Sequence, residues 1–156
     1  MEIERKFVPV RLPENLEQYP STPMVQGYLC TDPVVRVRKE GGRFFLTLKG
    51  GGLLAHEEVN FPLTAEAFEH LLPKCDGRII RKTRYFLPVE ARPDLTAELD
   101  LFEGELSGLV ILEVEFPSVE AAGAFLPPSW FGQDVTEDPA YHNSALSLGA
   151  DPRTRG

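Results

Sequence analysis

Charged residues spaced two positions apart, within short alternating segments, are the feature that most constrains how this chain folds. Arg36 and Arg38, for example, alternate with Val35 and Val37. Residues two apart in a strand point to the same side, so such a segment predicts a strand with one charged face and one apolar face. Segments of this kind, bounded by Gly, Pro, Asn and Asp, predict eight strands near residues 2–10, 24–30, 34–40, 43–50, 55–63, 78–88, 95–103 and 108–116.

Turn and cap residues complete the expected architecture. Gly41-Gly42 predicts a hairpin between the third and fourth strands, and Glu103-Gly104-Glu105 predicts another between the seventh and eighth. Three short helices are predicted from their first residues: one after Thr64 to about Leu72, one after Ser118 to about Leu126, and one over 139–148, with Pro139 in its first turn. We therefore expect an α+β fold, in which eight antiparallel strands close into a barrel with a few flanking helices.

The total charge excludes some partners but not others. The chain has 16 Lys and Arg against 24 Asp and Glu, a net charge of −8. This argues against a non-specific nucleic-acid or anionic-membrane binder, because such proteins are usually basic. If the charged faces point into the barrel, however, its lumen holds seven acids and six bases. These are Glu2, Glu4, Glu58, Glu98, Asp100, Glu113 and Glu115, with Lys6, Arg36, Arg38, Lys49, Lys82 and Arg84.

Other broad classes are excluded by simpler signals. No apolar run approaches the 18 residues of a membrane-spanning helix, and the first residues, Met1 to Phe7, are too charged for us to expect an apolar leader. Cys30 and Cys75 form neither a disulfide framework nor a zinc spacing. We expect one domain over 1–148, followed by a flexible tail over 149–156. We also expect a cytoplasmic location, and either a monomer or a homodimer.

The mixture of charges in one lumen indicates a particular kind of ligand. Clustered carboxylates suit hard divalent cations such as Mg²⁺ or Mn²⁺, and clustered Arg and Lys suit phosphate oxygens. A metal–polyphosphate complex needs both at once. The sequence therefore favours a small phosphorylated molecule, bound with a divalent cation.

The motifs that carry these charges resemble those of the CYTH family, the triphosphate tunnel metalloenzymes. Glu2-Ile3-Glu4-Arg5-Lys6 is similar to the family's Glu-x-Glu-x-Lys signature. The further matches follow in the family's order and cover roughly 1–148. They are Gly27-Tyr28-Leu29, Val35-Arg36-Val37-Arg38, Leu46-Thr47-Leu48-Lys49, Lys82-x-Arg84, Glu98-Leu99-Asp100-Leu101-Phe102, Glu113-Val114-Glu115, Asp134-Val135-Thr136-Glu137-Asp138 and Tyr141-x-Asn143-x-x-Leu146.

The resemblance implies a role for each charged residue. It is closest to short bacterial members that hydrolyse inorganic triphosphate to pyrophosphate and phosphate inside an eight-stranded tunnel. It implies that Glu2, Glu4 and Glu115 bind a divalent cation, Mg²⁺ or Mn²⁺, and that Glu58, Asp100 and Glu113 support a second cation or position the attacking water. It also implies that the phosphate chain is bound by six cationic residues, Lys6, Arg36, Arg38, Lys49, Lys82 and Arg84, and that Tyr141 and Asn143 lie near one mouth.

The chain also departs from the family pattern, and other functions stay open. The fifth strand of relatives often reads Arg-x-Glu-x-Glu, whereas this chain has His56, Glu58 and Asn60. His70 and His142 fall outside the charged faces, and no covalent nucleophile is indicated. The alternatives are an adenylate cyclase, a thiamine or nucleoside triphosphatase, and a polyphosphate sensor without turnover. A lipocalin-like barrel for apolar ligands is disfavoured by the charged lumen.

Overall fold

The computed structural model describes residues 3–50 and 58–154, and its main element is one antiparallel sheet. The sheet has nine strands within the described residues. They are β1 Glu4–Val8, β2 Ser21–Thr31, β3 Val34–Glu40, β4 Arg43–Lys49, β5 Glu58–Leu63, β6 Asp76–Val89, β7 Arg92–Phe102, β8 Val110–Glu115 and β9 Gln133–Asp134.

The order of the strands corrects the expectation of a closed eight-stranded barrel. It runs β5-β4-β3-β2-β6-β7-β8-β1-β9, so β5 and β9 are the two edges and the described strands form an open sheet. A closed barrel would need β1 to pair with β5. That edge of β1 pairs with β9 instead, through Phe7 with Asp134 and Val8 with Gln133. The alternating pattern predicted the other eight strands, but it did not predict this two-residue strand.

The two predicted hairpins are present, because β3 pairs with β4 and β7 pairs with β8. The sheet has an irregularity in β2. β2 pairs with β3 on one side and with β6 on the other. Its register with β3 shifts between Tyr28 and Cys30, where a bulge interrupts the ladder. Gly27 precedes this bulge, and a Cβ built there would lie 2.7 Å from the Cys75 Sγ. A side chain at position 27 would therefore collide with the segment that packs behind the sheet.

Two of the three helices begin where the cap residues predicted. α1 Ala65–Leu71 is capped by Thr64, whose hydroxyl accepts a hydrogen bond from the Ala67 amide, and Ser118 caps α2 Val119–Ala124 in the same way. The third predicted helix is shorter than expected. A 3-10 turn over Pro139–Tyr141 comes first, and α3 covers only Asn143–Ser147. No helix in the described residues is both long and apolar enough to span a bilayer.

Two apolar clusters fix the sheet in place. The larger lies on the outer face of β1, β7 and β8, where Phe7, Leu99, Leu112 and Val114 are fully or almost fully buried beneath α2 and Phe131. The outer face near β5 is less covered, since Leu48, Val59 and Phe61 are exposed. Most of the apolar burial, and hence most of the hydrophobic stabilisation, thus lies in one half of the sheet.

The smaller cluster blocks one end of the inner face. Three apolar residues each lie two positions from a charged residue of the inner face, so they point to the same side of the sheet. The pairs are Ile80 with Lys82, Phe102 with Asp100, and Ile111 with Glu113. Leu146 of α3 packs on them and is fully buried. The charged inner face therefore ends in an apolar plug that carries α3.

Part of the tail predicted over 149–156 contacts the rest of the protein. Residues Pro152–Thr154 form a 3-10 turn, and the Arg153 guanidinium donates hydrogen bonds to the carbonyl oxygens of Ser107 and Glu105. Arg153 also forms an ion pair with Asp151. These contacts tie residues 151–154 to the loop between β7 and β8.

Candidate active site

A charged pocket of about 280 Å³ lies on the inner face of the curved sheet. Its walls come from eight of the nine described strands, β1 to β8, and from the start of α3. The lining residues are Glu4, Lys6, Tyr28, Val34, Arg36, Arg38, Lys49, Glu58, Arg84, Glu98, Glu113, Glu115, His142, Asn143 and Ser144. The alternation of the strands thus gathers side chains that are distant in sequence around one cavity.

One side of the pocket is basic. We call Arg36 and Arg38 of β3 and Lys49 of β4 the basic wall. Arg36 Nη2 lies 3.4 Å from the Thr47 hydroxyl and 3.9 Å from a carboxylate oxygen of Glu58. These are long contacts, so the guanidinium is loosely held by the protein.

Arg38 is held more closely, but in part by a neutral group. Its Nε donates to Gln26 Oε1 at 2.8 Å, and its Nη1 lies 3.1 Å from Glu40 Oε1. Burial lowers the pKa of Arg38, and the nearby charges of Arg36 and Arg84 lower it further. Arg36 and Arg38 thus concentrate positive charge in the basic wall.

The opposite side is acidic. We call Glu4 of β1, Glu98 of β7, and Glu113 and Glu115 of β8 the acidic wall. The strand register places Glu4 directly opposite Glu115, and Glu98 directly opposite Glu113. Carboxylates facing one another across a ladder repel. Burial raises the pKa of Glu98, and its acidic neighbours add to this effect although Arg84 opposes it.

The cations Lys6 and Arg84 compensate part of this repulsion. Lys6 Nζ lies 3.6 Å from Glu113, and Arg84 Nη1 lies 2.7 Å from Glu98. Burial alone would raise the pKa of Glu113, but Lys6 and other nearby cations outweigh it and the pKa falls below its usual value. Glu113 is therefore ionised at neutral pH and can attract a cation.

Beneath the pocket lies a buried ionic triad formed by Lys82, Asp100 and Arg84. Lys82 Nζ is 2.8 Å from Asp100, and the Arg84 guanidinium binds both oxygens of the same carboxylate, at 2.8 and 2.9 Å. The side chains of Lys82 and Asp100 are 0% and 1% exposed. Both were predicted to contact substrate or metal, yet neither lines the pocket, whereas Arg84 does.

Mutual attraction decides the ionisation of this triad. Burial would raise the pKa of Asp100, but Lys82 and Arg84 outweigh it and bring the pKa to about 2. Burial lowers the pKa of Lys82 to about 8, and the attraction of Asp100 limits that fall. All three groups are thus charged at neutral pH, and the triad carries one net positive charge below the pocket.

The third side of the pocket comes from the carboxy-terminal segment. His142, Asn143 and Ser144 line it, and Asn143 Oδ1 accepts a hydrogen bond from Lys82 Nζ at 3.3 Å. Sequence analysis placed Asn143 near a mouth but left His142 outside the site. Burial and the charge of Lys6 both lower the pKa of His142, so the imidazole is neutral at pH 7.

Contacts at the start of β6 seat this segment. Arg78 donates to the carbonyl oxygens of Leu146 and Ala150, at 2.7 and 2.6 Å. Gly77 has a φ of +66°, and a Cβ there would overlap the Ser147 carbonyl oxygen. Only glycine tolerates both conditions, so α3 packs directly against the β6 backbone.

The remaining predicted residues divide between those the pocket gathers and those outside the described chain. Ten of the thirteen residues predicted to face the lumen line the cavity: Glu4, Lys6, Arg36, Arg38, Lys49, Glu58, Arg84, Glu98, Glu113 and Glu115. Glu2 and His56 lie outside the described residues. Asn60 lies beside the pocket, where its Oδ1 accepts a hydrogen bond from the Thr47 hydroxyl. The chemical roles of these residues remain predictions.

The acidic wall offers the type of ligand atom that a hard cation prefers. Its four carboxylates, two of them opposed in register to the other two, supply the oxygen ligands that Mg²⁺ and Mn²⁺ prefer. Within residues 3–50 and 58–154, however, no three acidic, imidazole or thiol groups already have the spacing of a metal site. A cation would therefore have to draw these side chains together.

Comparison with known proteins identifies the family. No protein-family model matches the chain. An inorganic triphosphatase of Nitrosomonas europaea is 44% identical over 151 residues, which cover 94% of this chain and 97% of that protein. An inorganic triphosphatase of Acetivibrio thermocellus is 40% identical over 126 residues, which cover 78% of this chain and 77% of that protein.

Solved structures agree. The crystal structure of the inorganic triphosphatase NE1496 superposes with a TM-score of 0.73, at 43% identity over 95% of both chains. A candidate adenylate cyclase of Bacillus halodurans, 16% identical, shares the fold alone, with a TM-score of 0.53 over all of this chain and 94% of that one. The chain therefore belongs to the CYTH family, as a relative of its short inorganic triphosphatases.

Proposed function

We propose that this protein hydrolyses inorganic triphosphate to pyrophosphate and phosphate in the charged pocket, with Mg²⁺ or Mn²⁺. One observation carries the proposal: a basic wall and an acidic wall face the same cavity of about 280 Å³. A linear polyanion can lie along the first while its divalent cation faces the second. The inorganic triphosphatases to which the chain is similar support this choice of substrate.

The residues of the basic wall would fix the phosphate chain. Guanidinium groups bind two phosphate oxygens at once, and Lys49 acts as a point charge. Lys6 and Arg84 line the same cavity from the acidic side and would bind the phosphates that lie there. Such positioning, together with neutralisation of charge, supplies most of the catalysis in phosphoryl transfer.

The acidic wall would hold the cation and orient water. The metal would be bound by Glu4, Glu113 and Glu115, with Glu2. Asp100 would orient Arg84, which lines the pocket. When bound, a divalent cation supplies a Lewis acid that neutralises charge on the phosphate oxygens. Glu58 lies on the other side of the pocket, beside Arg36, where a carboxylate can orient a water molecule towards the terminal phosphorus.

The reaction needs no covalent intermediate. The water oxygen forms a bond to the terminal phosphorus, the bridging P–O bond breaks, and pyrophosphate leaves with the electron pair. The proton of the water passes to a carboxylate or to solvent. A cytoplasmic location is part of the proposal, and the free thiols of Cys30 and Cys75 are consistent with a reducing compartment.

A substrate panel tests the proposal. Phosphate release is measured from tripolyphosphate, ATP, GTP, thiamine triphosphate and pyrophosphate, each titrated with Mg²⁺ and Mn²⁺ and repeated with a chelator. We expect tripolyphosphate to be hydrolysed fastest, and chelation to stop the reaction. Cyclic AMP formed from ATP would indicate a cyclase instead. Thermal stabilisation by tripolyphosphate without any phosphate release would indicate a sensor.

Variants locate the reaction. Glu115→Gln and Lys49→Ala each change one wall of the pocket, and we expect both to lose most of the activity. Arg92→Ala is the matched control, since Arg92 forms an exposed ion pair with Asp94 away from the pocket. Full activity in both wall variants would contradict the assignment of the site.

A further inference from the structure

One uncharged side chain on the inner face is buried more completely than most of the charged ones. Gln26 is 0% exposed, and it lies on β2 two residues before Tyr28, which lines the pocket. The strand register places Gln26 opposite Arg38 of β3 and opposite Ile80 of β6. Gln26 carries no charge, so the charge pattern of the strands does not point to it.

The hydrogen bond to Arg38 fixes the orientation of the Gln26 amide. Arg38 Nε, a donor, lies 2.8 Å from Gln26 Oε1. The opposite amide orientation would bring two donors together, so the oxygen must face Arg38. Gln26 Nε2 then has no hydrogen-bond partner among residues 3–50 and 58–154. A buried donor without a partner is costly, so stability alone does not explain an amide at this position.

The neutrality of the amide matters because of what surrounds Arg38. Arg36 and Arg84 are close enough to repel it, and Glu40 is the acidic partner on Nη1. The Glu40 side chain is 36% exposed, so solvent weakens its effect. A carboxylate at position 26 would cancel the positive charge of Arg38 within the buried wall. The amide orients the guanidinium without cancelling it.

The two hydrogen bonds also determine which part of Arg38 remains for a ligand. They use Nε and Nη1, and they do not use Nη2. A guanidinium held on two of its nitrogens loses rotational freedom before any ligand arrives, so less entropy is lost on binding. Arg38 is therefore preorganised towards the cavity that it lines.

We propose that Gln26 is a positioning residue: it orients Arg38 for the phosphate chain through a neutral hydrogen bond, and so sets the affinity of the pocket for the polyanion. This inference rests on the proposed function of the pocket. It predicts that Gln26 acts on ground-state binding, through Arg38, and contributes little to the chemical step.

The test uses two substitutions at position 26. Gln26→Met keeps the length of the side chain and removes the hydrogen bond, whereas Gln26→Glu keeps the acceptor and adds a negative charge. Loss of a hydrogen bond to a charged group corresponds to about a tenfold loss of affinity. We expect KM for tripolyphosphate to rise about tenfold in Gln26→Met and further in Gln26→Glu, with kcat changed by less than about threefold.

A double-mutant cycle separates this role from a merely structural one. If Gln26 acts through Arg38, Gln26→Met changes KM by less than about twofold when Arg38→Met is already present. Equal effects in both backgrounds would overturn the proposal, as would an unchanged KM with a lowered melting temperature. Gln133→Met and Gln133→Glu are the matched controls, because Gln133 is exposed on β9 outside the pocket, and wild-type KM is expected in both.

Binding of tripolyphosphate to the metal-free proteins, measured by calorimetry, keeps this test independent of turnover. If the wild type releases no phosphate, the proposed function fails, while weaker binding to the Gln26 variants would still support the positioning role. If Gln26→Met does not fold, the comparison of Gln26→Glu with the wild type decides. Unchanged binding in that variant would overturn the inference.

Discussion

The two walls of the pocket hold their charges in different ways. The acidic side contains short, buried ion pairs in the triad, where Lys82 and Arg84 both lie 2.8 Å from Asp100. On the basic side Arg36 lies 3.9 Å from Glu58, and Arg38 contacts the neutral amide of Gln26 and the partly exposed carboxylate of Glu40. The triad on the acidic side is thus held by the protein's own opposite charges, whereas the two arginines of the basic side are held by longer or neutral contacts.

The apolar packing behind the walls follows the same division. The larger core cluster lies behind β1, β7 and β8, whereas Val59 and Phe61 on the outer face of β5 are 42% and 50% exposed. Burial of apolar area stabilises the folded state. The comparison therefore predicts that changes on the acidic side affect stability most, and that changes on the basic side affect binding most.

The largest effect is expected from breaking the buried triad. Asp100→Asn removes the only carboxylate of the triad and leaves Lys82 and Arg84 buried beside each other. Removing one partner from a buried ion pair costs about 3–5 kcal/mol. The free energy of unfolding, measured with denaturant at pH 7, should fall by that amount. Asp94→Asn breaks an exposed ion pair and is the control; a similar loss in both variants would contradict the division.

Lowering the pH should reduce the free energy of unfolding by a smaller amount. The pKa of Asp100 is lowered from 3.8 to about 2, so the folded protein binds fewer protons at this site than the unfolded chain. The stabilisation is present above about pH 4 and is lost as the pH falls towards 2, and its size is about 2 kcal/mol. Carboxyl NMR titration should show Asp100 ionising near pH 2. An ordinary value near 4 would show that the triad does not bind as tightly as the distances imply.

Removing a charge from the basic wall should weaken substrate binding and leave stability almost unchanged. Arg36→Met deletes a guanidinium whose own protein contacts are long, at 3.4 and 3.9 Å. We expect KM for tripolyphosphate to rise about tenfold, which is the loss of one charged hydrogen bond, or about 1.4 kcal/mol. The melting temperature should stay close to that of the wild type. A variant that lost stability and kept its KM would remove the distinction between the walls.

The smallest effect is expected from weakening α1, the helix that packs on the outer face behind the basic wall. α1 packs on the outer face there, with the rings of Phe68 and Phe44 5.3 Å apart, and Thr64 caps its first turn. Thr64→Ala should cost about 1 kcal/mol. Because the helix lies behind the sheet, KM should not change. Ser118→Ala, which uncaps α2 over the other half, provides the matched comparison by denaturant unfolding.

Alternation in the sequence predicted the faces of the strands but not the depth of each residue. It placed Arg36, Arg38, Glu113 and Glu115 on the inner face, and all four line the pocket. It could not distinguish Lys82, which is fully buried, from Arg84, which reaches the cavity. The burial of a side chain depends on which strands are neighbours and on which residues pack at the end of the sheet. The alternation of residues along one strand carries no information about either.

The same limit explains what was missed entirely. Local cap signals predicted the starts of α1 and α2, because a cap is decided within four residues. Sheet closure depends instead on whether β9 occupies the edge of β1, which is decided by contacts between residues about 126 positions apart. His142 and Gln26 entered the site through the packing of α3 and through a neutral side chain, and the pattern of charges contains no signal for either.

The opposed glutamates of the acidic wall have a consequence for attempts to engineer this protein. Glu4 faces Glu115 and Glu98 faces Glu113, and like charges opposite one another across a ladder oppose folding. Selection for heat resistance alone would be drawn to these four positions, since a glutamine at any of them relieves repulsion. At Glu4, Glu113 or Glu115 such a gain would remove a carboxylate that the proposed reaction needs, so thermostability and turnover should trade off most sharply on β1 and β8.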